Sequence, residues 1–181
     1  LLDSIIPQVV KNASLVEICI TDNASTDDTF TLCSDYSARY SFIKYIRQNE
    51  NRGPDVNIHA AYSLASGRYV WIFGDDDYLR VGALGKILDI LSNNRNIDMV
   101  SMGVLPHGSD KISNDISYPV DVVKFEDDIE FSSRIGVMFT FISGLIINKQ
   151  KVEQYDVIPY IGTYLVQLSW VFRLLRSGNE F

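Results

Sequence analysis

The sequence predicts an α/β fold in which a largely parallel sheet is flanked by helices. Strand and helix signals alternate along the chain, the strand signals are short apolar runs, and polar turn residues follow two of them. At 181 residues the chain is long enough for one domain with a substantial core. Hydrophobic residues make up 46% and charged residues 22%, a balance that is typical of globular proteins.

The first elements alternate between helix and strand. Residues 1–12 have the apolar spacing of a helix, although Pro7 is unfavourable inside it. Residues 16–21 form a β-branched run that is typical of a strand. A helix to about residue 40 follows, with acidic residues in its first turn, and residues 42–47 predict a second strand.

A turn at residues 51–54 precedes the third helix. We expect Asp55 to cap this helix, which ends at Gly67. The apolar residues 70–73 predict a short buried strand, and a helix over residues 81–91 follows it.

The second half of the chain has weaker signals. Residues 99–105 predict a strand, and the polar residues 106–117 predict a loop. Helices are predicted over residues 127–136 and 165–177, with an apolar segment at residues 139–148 between them. We find no internal repeat and no low-complexity linker.

Three adjacent carboxylates, Asp75, Asp76 and Asp77, follow the strand at residues 70–73. Neighbouring carboxylates repel each other unless a cation is present. Along an extended chain Asp75 and Asp77 point the same way and offer two oxygen ligands to one ion. Mg²⁺ and Mn²⁺ favour such sites, with substrate phosphates completing the shell. Ligands of α/β proteins bind at strand ends. The alternative interpretation is a solvated acidic turn.

A second polar turn follows the strand at residues 16–21. Asp22 lies at the end of that strand, where a carboxylate can accept the imide N–H of a uracil or thymine ring. Asn23 and Ser25 are common turn residues, so a purely structural role is the alternative for this segment.

Charge and cysteine content exclude several classes of protein. A net charge of −7 and a pI near 4.7 argue against a nucleic-acid partner. Cys19 and Cys33 lack C-x-x-C spacing, which argues against a disulfide framework or a zinc site. The apolar tract at residues 135–147 is shorter than the roughly 20 residues that span a bilayer. With no signal peptide pattern, we expect a cytoplasmic protein.

Two stretches together resemble family 2 of the glycosyltransferases, which have the GT-A fold. They are ICITDNASTDDT at residues 18–29 and NRGPDVNIHAAYSLASGRYVWIFGDDDYL at residues 51–79. The resemblance implies a Rossmann-like three-layer sandwich with a mostly parallel central sheet. It also implies a nucleotide-diphosphate sugar donor, a metal-dependent D-x-D motif and inversion at the anomeric carbon. Residues 1–105 would then be the donor-binding half and residues 106–181 the acceptor-binding half of one domain.

The resemblance assigns roles to individual residues. Asp22 matches the acid that recognises the base, and Asp75, Asp76 and Asp77 match the D-x-D region, which holds the ribose and the metal that bridges the diphosphate. Asp75 and Asp77 would hold the Mn²⁺ or Mg²⁺ ion. Arg52 lies near a position where some family members place a basic residue against the nucleotide. The family's opening strand is absent, and the sequence ends just past the helix predicted over residues 165–177, so we expect it to be truncated at both ends.

The position of the catalytic base departs from the family pattern. Family members usually carry Glu-Asp just before an aromatic-rich helix, and Val166 and Gln167 occupy those positions here. Glutamine does not accept a proton at ordinary pH. Three interpretations stay open: Asp156 or Glu153 supplies the base, Gln167 orients the acceptor, or the chain is inactive.

Two other functions are alternatives to the family's activity. A non-catalytic nucleotide-sugar or glycan-binding module is one alternative, and Gln167 favours it. A sugar nucleotidyltransferase is another, but it would need a Gly-rich basic triphosphate loop near its amino terminus. An EF-hand loop starting at Asp75 fails, because Arg80 and Lys86 occupy its required Gly and Glu positions.

The resemblance extends to members that build bacterial surface polysaccharides, including abequosyltransferase-like enzymes. It therefore implies a saccharide or lipid-linked saccharide as acceptor. Peripheral contact with the inner face of the membrane would bring the enzyme to such an acceptor.

Overall fold

The computed structural model describes residues 1–94, 96–104, 122–177 and 181. Helix α1 (Leu2–Val9) continues into a 3₁₀ turn at Val10–Asn12, as the apolar spacing predicted. Its apolar face buries Ile6 and Val9. Val9 packs with Leu79 and Leu84 in a small hydrophobic cluster.

A parallel pair of strands follows. Strand β1 (Ile18–Asp22) pairs with β2 (Ile43–Arg47), with Ile18 opposite Ile43 and Asp22 opposite Arg47. Helix α2 (Thr29–Arg39) makes the crossover between them. Parallel strands need such a crossover, and their carboxyl ends then lie at the same edge of the sheet. The prediction of both strands and of the intervening helix is confirmed.

Helix α3 (Pro54–Leu64) connects this pair to a second sheet. Strand β3 (Tyr69–Trp71) and strand β4 (Met99–Ser101) both pair antiparallel with β5 (Leu145–Asn148), which lies between them. All four residues of β5 are buried. The apolar segment at residues 139–148 therefore ends in the central strand of an antiparallel sheet, whereas the sequence predicted a largely parallel one. The α/β class is confirmed.

The other helices surround these strands. They are α4 (Ala83–Asn93), α5 (Asp128–Ile135), α6 (Lys149–Val152) and α7 (Gln167–Ser177). The Asp127 carboxylate caps α5 by accepting the N–H of Glu130 at 2.7 Å. The predicted loop at residues 106–117 lies outside the described residues.

The main core lies between α7 and the three-stranded antiparallel sheet. Val166, Trp170 and Leu174 of this core are almost completely buried. The Tyr62 ring on α3 stacks on Trp170 with 4.3 Å between ring centroids, which fixes α3 against α7. Within the described part of the chain, no helix has the length and apolar content to cross a membrane.

Candidate functional site

The acidic segment after β3 is a turn. The N–H of Asp77 donates to the carbonyl of Gly74 at 3.4 Å. The Ser143 hydroxyl accepts the N–H of Gly74 at 2.7 Å, and the Ser143 carbonyl accepts Nε1–H of Trp71 at 2.8 Å. The segment that leads into β5 therefore anchors this turn at the carboxyl end of β3.

The carboxylates of Asp76 and Asp77 converge over Gly74. A Cβ atom added at Gly74 would lie 2.9 Å from Asp76 Oδ1 and 3.3 Å from Asp77 Oδ2. Asp75 and Asp76 are exposed and Asp77 is half-buried. The extended chain expected here is wrong, because the backbone turns and strand alternation does not apply. Asp75 and Asp77 as metal ligands stay a prediction, and the geometry favours Asp76 as the partner of Asp77.

The carboxylates of the acidic turn could bind a divalent cation only if an anionic ligand supplied further oxygen atoms. Among the residues that the structure describes, no group of three His, Cys, Asp or Glu side chains could hold a metal ion. Asp76 and Asp77 supply hard carboxylate oxygens, and Mg²⁺ sites commonly combine one or two carboxylates with substrate phosphates. The small residue at Gly74 leaves the space between these two carboxylates open.

Asp22 is buried at the carboxyl end of β1 and organises the turn that follows. Its Oδ1 accepts the N–H of Ser25 at 2.7 Å, and its Oδ2 accepts the Tyr45 hydroxyl at 2.9 Å. Arg47 Nε lies 3.6 Å from Oδ2. Burial alone would raise the pKa of Asp22, but the bonds from Ser25 and Tyr45 and the charge of Arg47 outweigh it and lower that pKa.

The Asp22 side chain has no exposed surface. A nucleobase can therefore reach this carboxylate only if one of its neighbours Ser25, Tyr45 and Arg47 moves. Burial and the hydrogen bond to Asp22 also raise the pKa of Tyr45 to about 12, so Tyr45 remains a donor to Asp22 at neutral pH. The role of Asp22 in recognising the base stays a prediction.

Asn23 joins the Asp22 turn to the segment before α3. Its side-chain amide donates to Asn51 Oδ1 at 2.8 Å and to the Gly53 carbonyl at 3.2 Å. The N–H of Arg52 donates to Asn23 Oδ1 at 3.0 Å, and the Arg52 side chain is exposed beside this turn. The structure thus brings Arg52 and Asp22 to the same edge of the sheet.

Asp55 contributes to this edge in a way that the sequence analysis missed. The expected helix cap is wrong: α3 begins after Gly53, with Pro54 at its first position, and no side chain caps it. The Asp55 carboxylate is 3% exposed and accepts the N–H groups of Gly162, Tyr164 and Val166. These partners are more than 100 residues away in sequence, so no local pattern indicated them.

Gln167 lies close to the acidic turn. It is the first residue of α7, is 6% exposed, and lines a small apolar cavity with Ile72 and Ile142. Ile72 is two residues before Gly74. Within the described chain, no donor lies within hydrogen-bond distance of Gln167 Oε1. A buried carbonyl oxygen without a donor is uncommon in native proteins and is found at functional sites.

Asp156 and Glu153 lie elsewhere. Both are exposed beside a cavity of about 310 Å³ that is also lined by His59 and Tyr62. Burial and the charge of Glu153 raise the pKa of Tyr62 to about 12.

This cavity lies at the amino end of β3, whereas the acidic turn lies at its carboxyl end. The N–H of Lys149, another residue of the cavity wall, donates to the Arg68 carbonyl at 2.9 Å just before β3. The chain runs from Arg68 through β3 to Gly74 before it turns, so the cavity and the acidic turn lie at opposite ends of this strand. The structure does not bring Asp156 to the acidic turn, and its role as base stays a prediction.

These features define a class of α/β protein that binds ligands where the carboxyl ends of β1 and β3 present polar turns. The chain belongs to glycosyl transferase family 2, whose family model matches residues 1–155. The family resemblance predicted from the sequence is confirmed.

Similar proteins occur among bacterial glycosyltransferases. Abequosyltransferase RfbV of Salmonella typhimurium (strain LT2) is 36% identical over 166 residues, which cover 82% of this chain and 48% of that protein. GalNAc(5)-diNAcBac-PP-undecaprenol beta-1,3-glucosyltransferase of Campylobacter jejuni is 35% identical over 74 residues, 40% of this chain and 24% of that protein. The chain therefore spans about half the length of the first relative and less of the second.

Solved structures share the fold. The crystal structure of S. aureus TarS 1-349 has a TM-score of 0.68 and 18% identity, and covers 92% of this chain and 47% of that chain. The complex of the same protein with UDP-GlcNAc has a TM-score of 0.60 and 17% identity, with 84% and 44% covered. These likenesses confirm the predicted GT-A-like α/β fold.

Proposed function

We propose that the chain transfers a sugar from a nucleotide-diphosphate donor to an acceptor hydroxyl, with inversion at the anomeric carbon. The observation that carries this proposal is the turn at Gly74, where the Asp76 and Asp77 carboxylates converge at the carboxyl end of β3. Membership of a glycosyltransferase family supports it. The UDP-GlcNAc in the TarS complex supports a nucleotide-sugar donor.

The acidic turn is proposed to bind the diphosphate through Mn²⁺ or Mg²⁺. Asp75 and Asp77 are the proposed ligands from the sequence, and the convergence of side chains favours Asp76 and Asp77. A bound cation would stabilise the negative charge that develops on the diphosphate as the sugar–phosphate bond breaks. Whichever carboxylate of the turn does not bind the cation would accept a ribose hydroxyl.

The Asp22 turn is proposed to bind the nucleoside. Asp22 would accept an imide N–H, which favours uracil or thymine over cytosine. Since this carboxylate is buried behind Ser25, Tyr45 and Arg47, donor binding would include a movement of one of these neighbours. The exposed guanidinium of Arg52 lies beside the turn and would attract the negative charge of the nucleotide.

Deprotonation of the acceptor hydroxyl needs a general base. An attacking hydroxyl must lose its proton to a base within hydrogen-bond reach. Asp156 is the proposed base, and its segment would have to move towards the acidic turn. Gln167 is close to that turn, where its carboxamide can orient the acceptor hydroxyl but not take its proton.

The Gln167 position also favours a second candidate function. If no carboxylate reaches the acceptor, the chain binds a nucleotide sugar or glycan without catalysis. Donor binding would then be intact while transfer is absent, which is how an experiment separates the two functions.

We also propose that the acceptor is a saccharide or lipid-linked saccharide of bacterial surface polysaccharide synthesis, at the cytoplasmic face of the membrane. The relatives named for abequose transfer and for an undecaprenol-linked substrate support it. Residues 1–105 would bind the donor and residues 106–181 the acceptor.

Calorimetry with UDP-, GDP-, dTDP- and CDP-sugars tests donor binding, with Mn²⁺ and with EDTA. We expect one donor class to bind only with the metal. A ligand at about 100 times its dissociation constant stabilises a protein by roughly 2.7 kcal/mol, so thermal shift gives an independent readout. No binding to any of these donors by the full chain would contradict the proposal.

A further inference from the structure

We propose that Asp55 is a positioning residue for the loop at residues 162–166, and that Tyr164 on this loop contacts the sugar ring of the acceptor. The ligand class is a saccharide with an apolar C–H face. This inference rests on the proposed function and names the acceptor contact of the same site.

The Asp55 carboxylate holds the loop through three backbone groups. Its Oδ2 accepts the N–H of Gly162 at 2.7 Å and that of Tyr164 at 2.8 Å. Its Oδ1 accepts the N–H of Val166 at 3.2 Å. Hydrogen bonds to an ionised acceptor are stronger than those between neutral groups, and three to one buried carboxylate fix the path of the loop.

The loop is held in a conformation that a tyrosine adopts rarely. Gly162 has a φ of 99° and Tyr164 a φ of 65°. Glycine tolerates a positive φ, but a bulky side chain there is strained. Both of these residues donate to the same oxygen of Asp55, so this carboxylate stabilises the strained conformation. Strain of this kind is found at ligand-binding sites.

Packing does not account for a tyrosine at this position. The Tyr164 side chain is 74% exposed, and its neighbour Leu165 is also exposed. Burial of the ring therefore contributes little to the folded state. An exposed aromatic ring next to an apolar side chain is a surface on which the C–H face of a sugar packs.

The loop at residues 162–166 is linked to both the Asp22 turn and the acidic turn. Asp55 lies two residues after Gly53, whose carbonyl accepts the Asn23 amide from the Asp22 turn. At its other end the loop leads directly into Gln167, which lines a cavity with Ile72 just before the acidic turn. The backbone of Tyr164 is thus joined through Asp55 to α3, the helix that begins after Gly53 beside the Asp22 turn, and it lies three residues before Gln167.

Steady-state kinetics on the full chain test the role of Tyr164, with the best donor and p-nitrophenyl glycosides as acceptors. We expect Tyr164→Ala to raise the acceptor KM about tenfold or more, with kcat within about twofold and the donor Kd unchanged. Tyr164→Phe should retain the parent KM, because it keeps the ring. Leu15→Ala is the control, since Leu15 is 71% exposed before the amino end of β1. An unchanged acceptor KM in Tyr164→Ala would overturn the proposal.

A double-mutant cycle tests whether Asp55 acts through Tyr164. Asp55→Asn should raise the acceptor KM by a similar factor, and adding Tyr164→Ala should raise it little further. Fully additive effects, or an equal loss of donor affinity, would show that Asp55 is only structural. If circular dichroism shows that the Asp55→Asn protein is unfolded, the proposal is tested by the Tyr164 variants alone.

A binding measurement separates this inference from the proposed function. If the parent chain binds a donor but transfers no sugar, saturation-transfer NMR with methyl glycosides reports on the loop directly. Loss of the saccharide signal in Tyr164→Ala but not in Tyr164→Phe would support the acceptor contact in a binding module. An equal signal in all three proteins, or no signal in any of them, would overturn it.

Discussion

Replacing Asp55 by alanine should destabilise the protein by about 2–4 kcal/mol. The change removes the acceptor of three N–H groups, of which that of Val166 is buried and those of Gly162 and Tyr164 belong to exposed residues. A buried donor left without a partner costs about 1–3 kcal/mol, while exposed donors regain hydrogen bonds from water. Loss of the two exposed charge-assisted bonds adds roughly 1 kcal/mol.

Thermal and urea unfolding measure this effect. For a chain of this size 1 kcal/mol corresponds to about 2–4 °C in Tm, so we expect a decrease of roughly 5–15 °C. Asp89→Ala is the matched control, because Asp89 is an exposed acid on α4 and should change stability by less than about 0.5 kcal/mol. A decrease in Tm no larger than that of the control would refute the reasoning, and the loop would then be held by other contacts.

Three further predictions concern the candidate site. Asp77→Asn should weaken metal-dependent donor binding by about tenfold or more and leave Tm nearly unchanged, because Asp77 is one of two converging carboxylates; calorimetry with Mn²⁺ measures this. Folding lowers the pKa of Asp22, so the ionised carboxylate stabilises the folded protein at pH values above about 3.9, the pKa of Asp in the unfolded chain. This stabilisation is lost as the pH falls through the pKa of Asp22 in the folded protein. Asp22→Asn should therefore flatten the decrease in urea midpoint between about pH 5 and pH 3. If Asp156 is the base, Asp156→Asn should lower the rate by about 10²- to 10⁴-fold, and Gln167→Ala should lower it less.

Each of these predictions has a contradicting outcome. Equal donor affinity with Mn²⁺ and with EDTA in the parent chain would show that the acidic turn does not act through a metal. The same pH profile in Asp22→Asn and the parent would mean that another group dominates acid unfolding. Near-normal turnover in Asp156→Asn would agree with its position at the amino end of β3 and remove it from the mechanism.

The local elements could be predicted because their signals are local. The strand predicted at residues 42–47 is β2 (Ile43–Arg47), and the helix predicted at residues 165–177 is α7 (Gln167–Ser177). The direction of β5 could not be predicted, since a short apolar run has no directional signal and pairing with β3 and β4 sets it.

The sequence predicted where the two polar turns lie in the fold, but not the conformation of the acidic turn. The two polar turns lie at strand ends, as the spacing indicated for Asp22 and Asp75. The conformation of the acidic turn was not predicted. The prediction assumed that side chains alternate in direction as far as Asp77, as they do in a strand, but β3 ends at Trp71. Asp55 was missed as a loop anchor because its partners are distant in sequence.

The central position of β5 has a consequence during synthesis. Strand β3 ends at residue 71 and its partner begins at residue 145, so 73 residues lie between them. At roughly 5–20 residues per second the ribosome takes about 4–15 s to produce the partner. During that interval β3 and β4 have emerged without the strand that joins them, and their apolar side chains are open to other chains. Folding of this sheet is therefore a late event on the ribosome, and expression at lower temperature or with chaperones should raise the yield of native protein.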